Sequence, residues 1–133
     1  MAKKIQIEIT CPDKNFYSGE ADMLIVRTLE GDMAVMADHE PYVCPIAVGP
    51  FKIVDNKEKQ IGAMAGGFLH VGDNKVTVIS DSVEWDHEIE TNRALAAKER
   101  AERRLQNKAA DLDFKRAEYA LKKAINRINV AKK

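Results

Sequence analysis

Six basic residues in the last third of the chain share a repeated spacing and lack the neighbours that would neutralise them. Arg93, Arg100 and Arg104 fall at i, i+7 and i+11, and Arg116, Lys123 and Arg127 repeat the pattern. None has an acidic residue four positions away; Arg93 and Arg116 have only the weaker i−3 partners Glu90 and Asp113. Other nearby charges are accounted for, because Lys98–Glu102, Glu99–Arg103, Asp111–Lys115 and Glu118–Lys122 are i,i+4 pairs, each worth about 0.2–0.5 kcal/mol on a helix. Two matching cationic stripes suit two kinds of chemistry. Folded side by side, they converge on phosphates, for which Arg supplies a rigid multidentate fork. Extended, they lie along an acidic protein surface. A solvated face is the ordinary explanation for either stripe by itself, and the residues alone do not choose.

Other candidate chemistry is thin. His39, His70 and His87 are too scattered for a metal site by spacing. Cys11 and Cys44 form no CxxC pair, and Gly66-Gly67 lacks the surrounding pattern of a phosphate loop, so a tight turn is the better reading. No Ser/His/Asp set and no paired carboxylates stand out, and the chain reads as a non-enzyme. Two thiols and no signal peptide suggest a reducing cytosolic setting in which both are small core residues. Apolar stretches such as Tyr42–Val48 fall far short of the roughly 20 residues that span a bilayer, so membrane association would run through a partner. Neutral net charge and a single Trp argue against general nucleic-acid binding, although the basic tail keeps it open.

The elements that must position these residues divide near residue 87. Up to Asp86, 8 Lys/Arg face 14 Asp/Glu, a net of −6; from His87 onward, 13 face 7, a net of +6. The first part predicts many short strands. Ile5, Ile7 and Ile9 alternate up to Cys11-Pro12-Asp13, and further runs occupy Met23–Val26, Met33–Met36, Lys52–Val54 and Ile61–Ala65. Val43–Val48 carries Pro45, which suits a sheet edge. Phe68–Val71 and Val76–Ile79 flank Gly72-Asp73-Asn74, a hairpin signal. Short strands at regular spacing predict a sandwich or barrel, closed by about Ser82. The second part has neither Gly nor Pro and predicts helices over about 89–106 and 112–131, with a turn at 107–111 and Asp111 as N-cap. Ala94, Ala97, Ala101 and Leu105 line one face of the first helix; Phe114, Ala117, Leu121, Ala124 and Ile128 line one face of the second. The first stripe, mostly Ala, buries little area, so the pairing is modest in strength. The domains predicted are therefore 1–86, a β-sandwich, and 87–133, a helical hairpin.

Several segments resemble the epsilon subunit family of bacterial F-type ATP synthases. Gly31-Asp32-Met33-Ala34-Val35 with Asp38-His39-Glu40-Pro41 resembles the family's Gly-acid-x-Gly-apolar and His-x-Pro segment, with Ala34 where Gly is usual. Ala65-Gly66-Gly67-Phe68-Leu69-His70-Val71 resembles its Gly-Gly-Phe strand. Ala97–Leu105 and Asp113–Glu118 look like tails from Bacillus-like organisms. The resemblance covers essentially the whole chain. It implies a ten-stranded β-sandwich followed by a two-helix antiparallel hairpin, in the rotor of a membrane complex that couples hydrogen ion transport to ATP synthesis.

In such a complex the sandwich contacts the gamma subunit and the c-ring, here through Gly31, Val35, Asp38, His39 and Pro41. The helices extend into the catalytic head and suppress ATP hydrolysis, with Arg103, Lys122 and Lys123 facing beta (and alpha) subunits. The location implied is the cytoplasmic face of the bacterial plasma membrane, with the membrane reached only through the c-ring. Some members bind ATP in the hairpin through an Ile/Leu-Asp-x-x-Arg-Ala motif, which Ile89-Glu90-Thr91-Asn92-Arg93-Ala94 resembles, with Glu90 where Asp is usual. By that match Glu84 and Ile89 would face adenine, and Arg93, Arg100, Arg116, Lys123 and Arg127 the phosphates or the helix support. ATP would then be a regulatory ligand, and no obligatory cofactor is implied. The rival reading is a free-standing nucleotide- or RNA-binding module using the basic hairpin, with affinity falling steeply as salt rises.

Overall fold

Strand β1 (Ile5–Cys11) sets the pattern for the first part of the computed structural model, which describes residues 3–106 and 111–131. Its alternation is strict: Ile5, Ile7 and Ile9 are buried and Gln6, Glu8 and Thr10 face outward. Nine further strands follow: β2 (Lys14–Ala21), β3 (Met23–Thr28), β4 (Gly31–Met36), β5 (Tyr42–Pro45), β6 (Gly49–Asp55), β7 (Glu58–Ala65), β8 (Phe68–Gly72), β9 (Lys75–Ile79) and β10 (Ser82–Trp85). They form two five-stranded sheets, β2-β1-β9-β8-β5 and β10-β7-β6-β3-β4. All pairings are antiparallel except β1 with β9, which is parallel. Phe51, Leu24, Ile53, Met64, Leu69 and the β1 isoleucines fill the space between the inner faces. The expected ten-stranded sandwich is the fold, and β5 with its Pro45 is an edge strand, as the proline requires.

Turn chemistry fixes the registers. Asp73 and Asn74 adopt φ of 51° and 57°, and Asn56 and Lys57 adopt 52° and 68°, the left-handed pair whose twist matches a two-residue hairpin. Between β7 and β8, Gly66 and Gly67 have φ of 72° and 110°. A Cβ on Gly67 would lie 2.0 Å from the Ile79 carbonyl oxygen, and the Ser80 hydroxyl donates to the Gly66 carbonyl at 2.8 Å. Gly67→Ala therefore combines a forbidden φ with a backbone clash. It is expected to lower unfolding stability by about 2–4 kcal/mol, read as a shifted urea midpoint with an unchanged slope.

Two strands, β2 and β10, carry no clean alternation in the sequence. β2 is an edge with a bulge: Ile9 pairs with Tyr17 and Thr10 with Asn15, which leaves Phe16 as an extra residue. The bulge lets two successive aromatics turn toward the core. Phe16 and Tyr17 lie 4.8 and 6.1 Å from the Trp85 ring, and Phe51 lies 5.4 Å from it. Trp85 ends β10, so this cluster ties an edge of one sheet to an edge of the other. Closure thus comes at Trp85, not at Ser82, because the last strand and its indole complete the packing. At another place Lys4, just before β1, reaches Asp55 at the end of β6 at 2.5 Å. That hydrogen bond is the main reason the Lys4 ammonium holds its proton above the ordinary lysine range.

The chain separates into two compact units, Met1–Trp85 and Asp86–Lys133. The second opens with one 3-10 turn, Asp86–Glu88, followed by α1 (Thr91–Gln106) and α2 (Asp111–Ala131), which pack against each other. Residues 107–110 of the expected turn at 107–111 lie outside the described residues, and Asp111, expected as a cap, is already the first residue of α2. α1 starts two residues later than expected: the Glu90 carbonyl accepts the first helical bond, from the Ala94 amide at 3.1 Å, which makes Glu90 the N-cap. Ala94, Ala101, Ala117, Ala124 and Ile128 are buried, as the seam requires. Phe114 departs from expectation and is 44% exposed, because a facing stripe of alanines offers little surface to cover an aromatic ring.

Candidate functional site

The basic stripes sit on the two packed helices. Arg93, Arg100 and Arg104 are exposed along α1; on α2 Arg116 is exposed, while Lys123 and Arg127, one turn apart, are half-buried. One compact unit thus carries both stripes, with Arg103 and Arg104 also placed in the last turn of α1, where the helix dipole favours cations. Arg103 approaches Glu99 at 3.8 Å with both side chains well exposed, so that pair restrains neither residue. Lys122 is exposed.

Two members of the predicted nucleotide set are packed in this structure: Ile89 is 7% exposed and Ala94 0%. Glu84 lies on β10 opposite Ala63, in the first unit, whereas the other candidates lie in the second. Arg93, within the predicted motif, lies on an exposed helical face.

Among the residues expected at a rotor interface, Val35 is also misplaced. Its side chain is fully buried opposite Leu24, because the period of two turns it inward while Ala34 and Met36 face out. Gly31, with φ of 119°, begins β4, and Asp38, with φ of 62°, lies beyond its other end. The Asp38–Pro41 segment is held in place by several bonds. Lys3 pairs with Asp38 at 2.7 Å, and the Asp38 amide donates to Asn74 Oδ1 at 2.9 Å. Asn74 in turn donates to the Lys4 carbonyl at 2.9 Å. His39 Nδ1 lies 2.7 Å from the Glu40 carbonyl, and its amide donates to Met36.

Sequence reasoning missed a surface. On the outer face of the first sheet Pro45, Phe68 and Ile79 stand in one row across β5, β8 and β9, with Val43 beside them. Phe68 and Val43 are each 62% exposed and Ile79 61%. Contiguous exposed apolar residues on a folded sheet mark a contact surface. The signal was present: Phe68-Leu69, Val78-Ile79 and Val43-Cys44 put apolar side chains on both faces of a strand, against the rule for a half-buried sheet.

The thiols are inert. Cys11 and Cys44 are buried, and burial pushes both above the usual thiol range, with the Glu30 carboxylate adding to the effect at Cys44. No His, Cys, Asp or Glu cluster among the described residues could hold a metal.

With this architecture in place, two family models match in tandem: the beta-sandwich domain of the ATP synthase delta/epsilon chain over residues 4–86, and its long alpha-helix domain over residues 87–132. The chain belongs to the ATP synthase epsilon family. It is 42% identical over 127 residues to an ATP synthase epsilon chain of Caldicellulosiruptor saccharolyticus, covering 96% of this chain and 93% of that one. The corresponding chain of Alkaliphilus metalliredigens is 42% identical over 132 residues, covering 99% and 98%. Among solved structures, a chain of the Euglena gracilis mitochondrial ATP synthase superposes with a TM-score of 0.81 at 25% identity, over 92% of this chain and 78% of that chain. A chain from the Tetrahymena thermophila mitochondrial ATP synthase central stalk and c-ring shares the fold, with a TM-score of 0.62 at 17% identity, covering 98% and 96%. Nothing in these likenesses supports a free-standing RNA- or nucleotide-binding module. No described helix is long and apolar enough to cross a membrane.

Proposed function

We propose that this epsilon-family chain is the central-stalk subunit of a bacterial F-type ATP synthase, a regulatory part of the rotor with no chemistry of its own. Its sandwich would join gamma to the c-ring, at the cytoplasmic face of the plasma membrane and reaching that membrane only through the ring. Its helices would restrain ATP hydrolysis by docking against beta and alpha subunits, and ATP would act as a regulatory ligand of the hairpin. The observation that carries the rotor assignment is the exposed row Pro45, Phe68 and Ile79 with Val43. A folded sandwich with a filled core has no internal use for three large side chains left more than half exposed on one face. Burying them against gamma removes that apolar area from water at about 25 cal/mol per Å².

Phe68→Asp and Ile79→Asp test this reading. Both residues face away from the core, so each variant is expected to keep its fold by circular dichroism. Each should weaken recovery of gamma and c subunits in a pulldown from detergent extract by about tenfold or more, as truncation of an interface hot spot does. Undiminished recovery with the doubly substituted chain would remove this face from the rotor contact.

A further inference from the structure

The two-residue turn between β8 and β9 is Asp73-Asn74, with φ of 51° and 57°. That geometry suits Gly, Asn and Asp alike, so the turn by itself does not call for a carboxamide. The Asn74 side chain is nonetheless engaged at both of its polar atoms, by segments far away in the chain. Its Oδ1 accepts from the Asp38 amide at 2.9 Å, across 36 positions of sequence, and its Nδ2 donates to the Lys4 carbonyl at 2.9 Å, across 70. Its own carbonyl accepts from the Gln6 amide at 3.2 Å. Accepting from an amide while donating to a carbonyl is what a carboxamide can do and a carboxylate cannot. Gly at this position would satisfy the turn and leave both side-chain bonds unmade. Asp would keep the first and lose the second.

The first of these bonds meets an unusual backbone. Asp38 holds φ of 62°, in the left-handed region that is uncommon for a residue with a Cβ. Among the described residues, Lys3 and Asn74 reach it. The Lys3 ammonium lies 2.7 Å from the Asp38 carboxylate, but the two side chains are 61% and 67% exposed, and such a pair restrains little. The bond from the Asp38 amide to Asn74, a half-buried residue of the β8–β9 hairpin, therefore ties the turn to the body of the first sheet. Beyond it, residues 39–41 have no regular structure, and Glu40 and Pro41 are exposed. A contact segment already held in its bound shape loses less conformational freedom on docking, and binds more tightly for it.

We propose that Asn74 is a positioning residue for docking: its carboxamide holds Asp38 in the left-handed turn and so presets the 38–41 segment in the shape that a partner subunit meets. It acts through the Asp38 amide, not by touching the partner. The proposal rests on the reading of the chain as a stalk subunit, which supplies that partner.

Asn74→Gly and Asn74→Asp in the full chain test it, because Gly keeps the hairpin and Asp keeps the acceptor. In residue-resolved hydrogen exchange, the Asp38 amide of Asn74→Gly is expected to exchange at least about tenfold faster, with the core amides of β8 and β9 unchanged. Binding of this variant to a complex stripped of the chain should weaken about three- to tenfold. Asn74→Asp should restore the slow Asp38 amide and bring binding back to within about twofold of the parent. A role confined to the hairpin predicts no loss in Asn74→Gly, since Gly adopts positive φ without steric cost. Binding by Asn74→Gly as tight as the parent's overturns the proposal and leaves the stalk assignment standing. So does a loss that comes with faster exchange throughout the sandwich, or one that Asn74→Asp fails to restore. A parent chain that does not bind the stripped complex overturns the stalk assignment, and the proposal with it.

Discussion

A chain ending at Asp86 is expected to fold, to assemble with gamma and the c-ring, and to leave ATP hydrolysis largely unrestrained. The folding half of this result follows from where the sandwich closes. Trp85 packs at a tilt against Phe16 and Phe51 and completes the packing between the sheets, and the truncated chain retains it. A chain stopped at Ser82 would lose most of β10, including the buried Val83, together with that partly buried indole, and should be markedly less stable. The functional half follows from the proposed role of the helices. Hydrolysis by the assembled complex should rise to the level of a complex from which this chain has been stripped, while coupled pumping persists. Neutralising Arg103, Lys122 and Lys123 should give part of the same relief, and raising salt should mimic it, because exposed charges act through a screened field. If the truncated chain assembles and hydrolysis stays fully restrained, the inhibitory role does not belong to the helices.

The second large effect concerns ATP. Titration calorimetry of the chain should show binding in the range of about 1 µM to 1 mM, the span expected of a sensor of cellular ATP. Arg100→Ala or Arg127→Ala should weaken it about 10- to 100-fold, since each removes one or more charge-assisted hydrogen bonds worth roughly 1.5–3 kcal/mol. Arg103→Ala should leave it unchanged, because that side chain is exposed and its ion-pair partner among the described residues is the neighbouring Glu99 on its own helix face. Glu90→Asp should tighten it. Glu90 is the N-cap of α1, and a shorter carboxylate reaches the free amides of the first turn better, for a gain of about 0.5–1 kcal/mol in the helical form. Since a ligand shifts a conformational balance only through its preference for one state, ATP would hold the hairpin and keep the inhibitor retracted. No heat of binding at several millimolar ATP would eliminate the sensor while leaving the rotor and inhibitor roles intact.

Much of this protein is written locally. The alternation of Ile5, Ile7 and Ile9, the turn residues Asp73-Asn74, and Pro45 at an edge each express a period or dihedral preference of a few adjacent residues. For that reason the sandwich, the two helices, the alanine seam and the basic stripes were legible from the chain alone. Motif resemblance then supplied the family, because Gly66-Gly67-Phe68 and the Arg-rich helices are contiguous signatures. What the tertiary structure decided is everything that depends on residues distant in sequence. β2 and β10 have little pattern of their own; they become strands because a bulge and an aromatic cluster join Phe16, Phe51 and Trp85. Folding packed Val35, Ile89 and Ala94 into the interior, since a side chain's facing depends on its neighbours and not on its motif. Pairing across β5, β8 and β9 gathered Pro45, Phe68 and Ile79 into one apolar row, and the fold brought Asn74 to the Asp38 amide. Local periods specify which elements form; the long-range pairing of those elements determines which of their faces and edges remain for a partner.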